Sequence, residues 1–445
     1  MSSSAPVFAA PIDPPKVDYG KGVYVYDQAG KQYIDGSGGP SVFCLGHGNE
    51  EVNDAIKAQL DRIAQGYRGN FSSDPLEELQ SVIAQGCGGG LKHSMMVCGG
   101  SEAVESCLKV ALQYQTAIGQ KSRRRFIARQ RSWHGNTLGA LAISGFAGRR
   151  AAFEGALVEA SHLSAANVYR PPPGVAPEDI PDYCSQELER EILKQGPERI
   201  CAFVFEPVVG AAGGAVPAPP GYAAKMREVC DRYGVLMIAD EVMCGVGRTG
   251  TWRALAHDGV EPDIMSIAKG LGGGYVPLGA VVYHDRIAQP ILEKHGAVAI
   301  GHTFAGHTLA CAAGVAVQRI IKRENLIARV AEEGEWLRET LQAELGQNPH
   351  IGDVRGRGFF VGVEFVHDAE TKTPFDASQQ LFLKLQAQAF DNGLICYPVG
   401  GNVDGVNGDI AIISPPYNAS RKELEEIVEK FVRSAEQVVR SVTSN

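Results

Sequence analysis

"GYAAKMREVCDRYGVLMIADEV", residues 221–242, contains the repeating unit of the fold. Its first part is amphipathic over 221–234 and stops at Gly234, just past the last turn, where glycine takes the left-handed conformation at little cost. "VLMIAD" (235–240) follows directly, an apolar run that ends on a carboxylate. A run with no polar alternation has no solvent face, as expected of a parallel strand covered on both sides.

The same pattern extends in both directions. Strands are expected at 93–99, 125–130, 201–206, 263–268 and 278–284, with a helix at 101–115 leading from the first of them. Strands alternating with helices define an open α/β sheet, mainly parallel and flanked by helices. The Pro-rich "YRPPPGVAPEDIPDY" (169–183) reads as a surface excursion, because the alternation resumes after it.

Three segments follow from this texture. Residues 71–323 form the large α/β domain. Residues 324–445 form a smaller α+β domain, with a helix at 324–345, strands within 354–366 and 408–417, and helices at 376–391 and 420–441. Residues 1–70 include a hairpin, "GVYVYDQAGKQYIDG", turning at "QAGK", and are expected to pack with the small domain.

Composition excludes several functions. A net charge of −9 opposes a nucleic-acid surface, and the basic cluster "KSRRR" (121–125) reads as a solvated loop. None of the ten cysteines forms a C-x-x-C pair, and His302 and His307 lack metal-ligand spacing, so reduced thiols and no metal are expected. The N-terminal "MSSSAPVFAAPIDPP" has no signal-peptide pattern, and no run is apolar over the length of a membrane span. The expected compartment is the cytoplasm.

In open parallel sheets, ligands bind beyond the carboxyl ends of the strands. "CGGSEAVES" (98–106) places Gly100 and Ser101 between a strand and a helix, where free N–H groups and the helix dipole make an anion seat or, more simply, a cap. Asp240 ends its strand either as a cap or as a buried anion that could hold a ring nitrogen protonated. Lys269 of "AKGLGGG" ends the next strand, where partial burial would lower its pKa and make it an imine-forming nucleophile. "SWHGNT" (132–137) adds Trp133, a flat face for stacking or a core aromatic, and His134 in a turn.

A phosphate seat, an acid for a heteroaromatic nitrogen, a stacking ring and an imine lysine together describe a site for pyridoxal 5'-phosphate. "GSEAVESCLKVA", "WHGNT", "FEPVVG", "ADEVMCGVGRTG", "AKGLGGG", "HTFAGH" and "VRGRGFFVGVEF" stand in an order and spacing that resemble the class III aminotransferases, of fold type I, from about residue 20 to 440. The resemblance implies that Lys269 is the Schiff-base residue and that Asp240 pairs with the pyridine nitrogen. Trp133, with His134 beside it, and Val242 would cover the two ring faces. Gly100 and Ser101 would hold the phosphate, and Thr303 would reach it from the other subunit of a homodimer.

The expected reaction moves an amino group from an amine or ω-amino acid to a small keto acid, pyruvate. Racemase, epimerase and lyase outcomes are the alternatives within the family, and a non-catalytic relative is the third. Where many members carry Gln, this chain has Met243, and "VVGAAGG" (208–214) lacks the Glu common in users of glutamate. The arginine expected shortly before "PP" is missing, since 394–420 contains none. Tyr67, Arg68 and Arg355 are therefore the candidate substrate contacts.

Overall fold

The computed structural model describes residues 14–443. Residues 1–13, on which the signal-peptide reading falls, lie outside the described residues. Across the central sheet the strands are ordered His93–Val97, Gly279–Tyr283, Ile264–Ile267, Leu236–Asp240, Ile200–Phe205, Arg125–Arg129 and Ala160–Leu163. Gly279–Tyr283 runs antiparallel to both of its neighbours, and the rest run parallel to one another. Its short link explains this. A parallel return needs a crossover of about a dozen residues or more, whereas 268–278 holds a single 3-10 turn, Lys269–Leu271.

Both faces of the sheet are covered, which accounts for the unbroken apolar runs. Phe203, Phe205, Met237, Ala239, Met265 and Ile267 face one core, with Leu188, Met226 and Val315 from the helices Ile180–Gln195, Tyr222–Tyr233 and Thr308–Arg323. Ala202, Val204, Ile238 and Ile264 face the other, with Val104 and Leu108 of Gly100–Ala117 and Ile287 of Asp285–His295. The alternation is the two-residue period of a strand. Tyr222–Tyr233 is bounded by Gly221 and Gly234, both left-handed at φ 83° and 62°.

Several expectations shift in detail. The Pro-rich excursion ends early, since its last residues form the first turn of Ile180–Gln195, where Pro181 loses no helical hydrogen bond. Residues 354–366 fall in a hairpin, Ile351–Arg357 against Phe360–Phe365, turning at Gly358 (φ 56°). The helix at 376–391 is broken at left-handed Gln380 into a 3-10 turn and Leu381–Asp391. Left-handed Asn325 likewise separates Thr308–Arg323 from Leu326–Leu345.

A four-stranded antiparallel sheet, ordered Ile351–Arg357, Phe360–Phe365, Asp409–Ile413 and Tyr397–Gly400, carries the C-terminal region. The N-terminal hairpin pairs Tyr24–Asp27 with Gln32–Asp35, and its turn is closed by Asp27 Oδ1, which accepts from Ala29 N and Lys31 N at 2.9 Å each. Leu394–Ile395 adds to this sheet in parallel beside Gln32–Asp35. Val23, Ile34 and Val52 share one core with Leu337, Leu385 and Phe431.

Candidate active site

A cavity of about 300 Å³ opens at the carboxyl edge of the central sheet. Asp240 is the last residue of its strand, in register with Ser266 of the neighbouring strand. Trp133 and His134 follow Arg125–Arg129, Glu206 follows Ile200–Phe205, and Gly99–Ser101 follow His93–Val97. Because Gly279–Tyr283 is reversed, its lead-in, Val276–Leu278, arrives at the same edge. Parallel and antiparallel strands thus both deliver residues to this cavity.

Asp240 is buried, and its carboxylate is held from three directions. Oδ2 lies 2.7 Å from His134 Nδ1, while Oδ1 accepts from Ser266 Oγ at 3.0 Å and from Val242 N at 3.1 Å. His134 is itself enclosed, and its Nε2 has no hydrogen-bond partner among the described residues. Glu206, also buried, accepts from Trp133 N at 2.9 Å and from Gly210 N at 2.8 Å, and burial pushes its carboxyl above the usual range.

Lys269 is half-buried and lines the same cavity. Its backbone is left-handed at φ 47°, a conformation that strains a residue with a side chain and tends to occur where structure serves function. Nζ donates to Pro40 O at 2.9 Å. Burial pushes the ammonium from 10.5 down to about 8, against the attraction of Asp240. A lysine with this pKa spends an appreciable part of its time uncharged near neutral pH.

The opposite wall is the start of the 18-residue helix Gly100–Ala117. The N–H groups of its first turn have no preceding carbonyl to bond, and the helix dipole adds positive potential there. Glu102 Oε2 accepts from Cys98 N at 2.8 Å and so closes the turn from outside. Ser101 Oγ accepts from Asn136 N at 2.9 Å, tying the turn to the Trp133 loop. A methyl added to Gly99 would meet no atom of the described residues within 4 Å, whereas one on Gly100 would lie 2.8 Å from Val242 Cγ1. The first leaves room in the cavity for an anionic ligand, and the second lets Val242 lean over the floor.

Lys269, Asp240, Gly100, Ser101, Trp133, His134 and Val242 all line this one cavity. Thr303 does not: it is exposed, on a segment held by Gln65 Nε2, which donates to its carbonyl at 3.1 Å. Tyr67 is exposed, and Arg68 donates to Ile300 O at 2.9 Å. Arg355 is committed elsewhere. Its Nη1 pairs with Glu364 at 2.7 Å and Asp353 at 3.0 Å, while Nε and Nη2 donate to the carbonyls of Gly214 and Gly213. It is buried and fully partnered, so it offers no edge to a substrate, and the reason is tertiary pairing across the hairpin.

Sequence reasoning did not single out Glu206 or Ser266. Glu206 carried a signal, a carboxylate at the end of an apolar run; Ser266 carried none. Met243 packs on the glycine loop 208–214, since a methyl on Gly210 would meet its sulfur at 2.4 Å.

An α/β sheet with lysine, aspartate and an anion seat at its carboxyl edge is the arrangement of the fold type I pyridoxal-phosphate enzymes. The chain belongs to the class-III aminotransferase family, which matches residues 9–434. It is 40% identical to an uncharacterised aminotransferase of Schizosaccharomyces pombe, over 96% of this chain and 93% of that one. It is 34% identical to a diaminobutyrate–2-oxoglutarate transaminase of Halomonas elongata, over 95% and 90%. The ω-transaminase of Pseudomonas jessenii, solved in complex with PMP, superposes with a TM-score of 0.91 at 31% identity, over 96% and 94%. Among the described residues no helix is long and apolar enough to cross a membrane, and all ten cysteines are free.

Proposed function

We propose that this cavity holds pyridoxal 5'-phosphate and that the chain transfers an amino group from an amine or ω-amino acid to a small keto acid, pyruvate. The observation that carries the reading is the convergence of Lys269, Asp240 and the start of Gly100–Ala117 on one cavity. The donor set fits the cofactor. The Gly100–Ser101 N–H groups suit a phosphate, the Asp240 carboxylate suits a protonated ring nitrogen, and Trp133 and Val242 supply apolar walls for a flat ring.

When bound, the cofactor supplies a carbonyl that captures amines and a ring that takes up electrons from the substrate carbon. Asp240 holds the ring-nitrogen proton in place, and His134, Ser266 and the Val242 amide keep its carboxylate from turning. Lys269 Nζ, uncharged part of the time, is the group that accepts a proton from the substrate carbon and returns it. The apolar walls exclude water from that exchange.

The active unit in this reading is a homodimer in which Thr303 reaches the partner's phosphate site. Its support is a surface that carries exposed Tyr67, Phe71 and Phe304 on two segments tied by Arg68–Ile300 and Gly66–Thr308 hydrogen bonds. Exposed aromatics gathered in this way mark an association surface.

The test is to load the purified protein with cofactor and follow its absorbance, and alanine formation, with a panel of amines against pyruvate. Alanine appearing in step with amine loss is the expected result. Racemisation or ammonia release without alanine would overturn the transferase reading, and a protein of monomer mass with full activity would overturn the dimer.

A further inference from the structure

A substrate that ends in a carboxylate needs a cation near Lys269, yet the loop 394–420 provides no arginine. Arg355 is fully paired, as described above. Arg248 is buried under the Tyr417 ring and donates to Phe359 O and Pro415 O, which binds it into the join between the two parts of the chain.

Arg149 is placed differently. It is exposed, and among the described residues its guanidinium has no ion-pair partner, whereas the adjacent Arg150 pairs with Glu154. The guanidinium lies 4.6 Å from the Trp133 ring centroid and 4.9 Å from that of Phe146. These rings stand at 90° to each other, so they form a corner that steadies a flat cation while its N–H edge stays free. Trp133 is itself a wall of the cavity around Lys269. Its charge is felt there, though less than that of the buried Arg248, since both depress the Lys269 ammonium.

The turn that carries Arg149 also touches the loop that lacks an arginine. A methyl on Gly148 would lie 3.1 Å from Gly405 O, and one on Gly405 would lie 3.0 Å from Ala147 Cβ. A cation on this turn therefore stands beside the 401–408 loop without belonging to it.

We propose that Arg149 receives the substrate's carboxylate, which makes monocarboxylic keto acids the acceptor class of this site. Its contact with Trp133 is the weaker one, an exposed guanidinium on a half-buried ring, and a carboxylate offering two charge-assisted hydrogen bonds outcompetes it. Arg149 leaves the aromatic corner to meet the substrate and returns when the product departs. The kinetic side of this inference rests on the transaminase reading above; the binding side does not.

The experiment measures propionate, a carboxylate with no reactive carbonyl, binding to the cofactor-loaded protein by calorimetry, in wild type, Arg149→Met and Arg149→Lys. The expected result is a Kd at least about tenfold weaker in R149M, with part of the loss recovered in R149K. Propionamide, of the same shape without the charge, is expected to distinguish the variants far less. The proposal is overturned if wild type does not bind propionate, if R149M binds it as wild type does, or if propionamide suffers the same loss. In parallel, the pyruvate-to-propanal ratio of kcat/KM should fall by about tenfold or more in R149M. A wild type that binds propionate through Arg149 but transfers no amino group would overturn the transaminase reading and leave the Arg149 assignment standing.

Discussion

His134 Nδ1 lies 2.7 Å from Asp240 Oδ2, with both side chains enclosed and the two residues 106 positions apart in the chain. With the aspartate ionised, the ring N–H donates to it, and Ser266 Oγ and Val242 N hold the second oxygen. A carboxylate fixed in this way points in one direction. Its free lone pair is what a ring nitrogen on the floor of the cavity would meet.

Asp240→Asn keeps the shape and removes the charge. We expect the variant to bind cofactor and to lose about 3 kcal/mol of transition-state stabilisation, about a hundredfold in kcat. Steady-state kinetics with a confirmed cofactor content check this, and activity near wild type would make Asp240 a structural cap.

Lys269→Ala should abolish turnover. Borohydride reduction of the loaded wild-type protein should fix the cofactor on the peptide containing Lys269, read by mass spectrometry. Label on any other lysine would refute the assignment.

The lowered pKa of Lys269 predicts how the cofactor-free protein captures the cofactor. The neutral amine reacts, so the rate should rise about tenfold per pH unit and level off just above about 8, well short of the usual 10.5. The sign follows from burial, which disfavours the ammonium. Stopped-flow absorbance from pH 6 to 10 checks it, and a rate still climbing at pH 10 would mean that the lysine is not desolvated.

Gly100→Ala places a methyl 2.8 Å from Val242 Cγ1, an overpacking expected to cost about 1–3 kcal/mol and to weaken cofactor binding. Val242→Ala in the same chain should restore much of the loss. Failure of the double variant to recover would show that the methyl disturbs the anion seat instead.

Pyruvate should be preferred to 2-oxoglutarate by at least about tenfold in kcat/KM, the ratio that about 1.4 kcal/mol produces. A second carboxylate would need a second accessible cation, and Arg355 is fully paired while Arg248 is buried beneath Tyr417 with its Nη1 held by two carbonyls. Competition between the two acceptors, with alanine and glutamate quantified together, decides it.

Six of the seven central strands and the placing of Asp240 and Lys269 at strand ends were legible in the chain, because each rests on local pattern: apolar runs, turn glycines and a helix stop at Gly234; the edge strand Ala160–Leu163, four residues with no apolar run, was not. The direction of Gly279–Tyr283 depended on a link too short for a crossover, and so on where the chain had to return. The split of 354–366 at Gly358 depended on a hairpin partner. The arginines show the difference most clearly. Residue type makes Arg149, Arg248 and Arg355 equivalent cations, and only packing separates them. Glu364 and Asp353 neutralise Arg355, Tyr417 and two carbonyls enclose Arg248, and Trp133, a wall of the cavity, holds Arg149 together with Phe146, where it has no ion-pair partner among the described residues. Charge is a property of the residue, but its availability depends on which groups from distant parts of the chain fold against it.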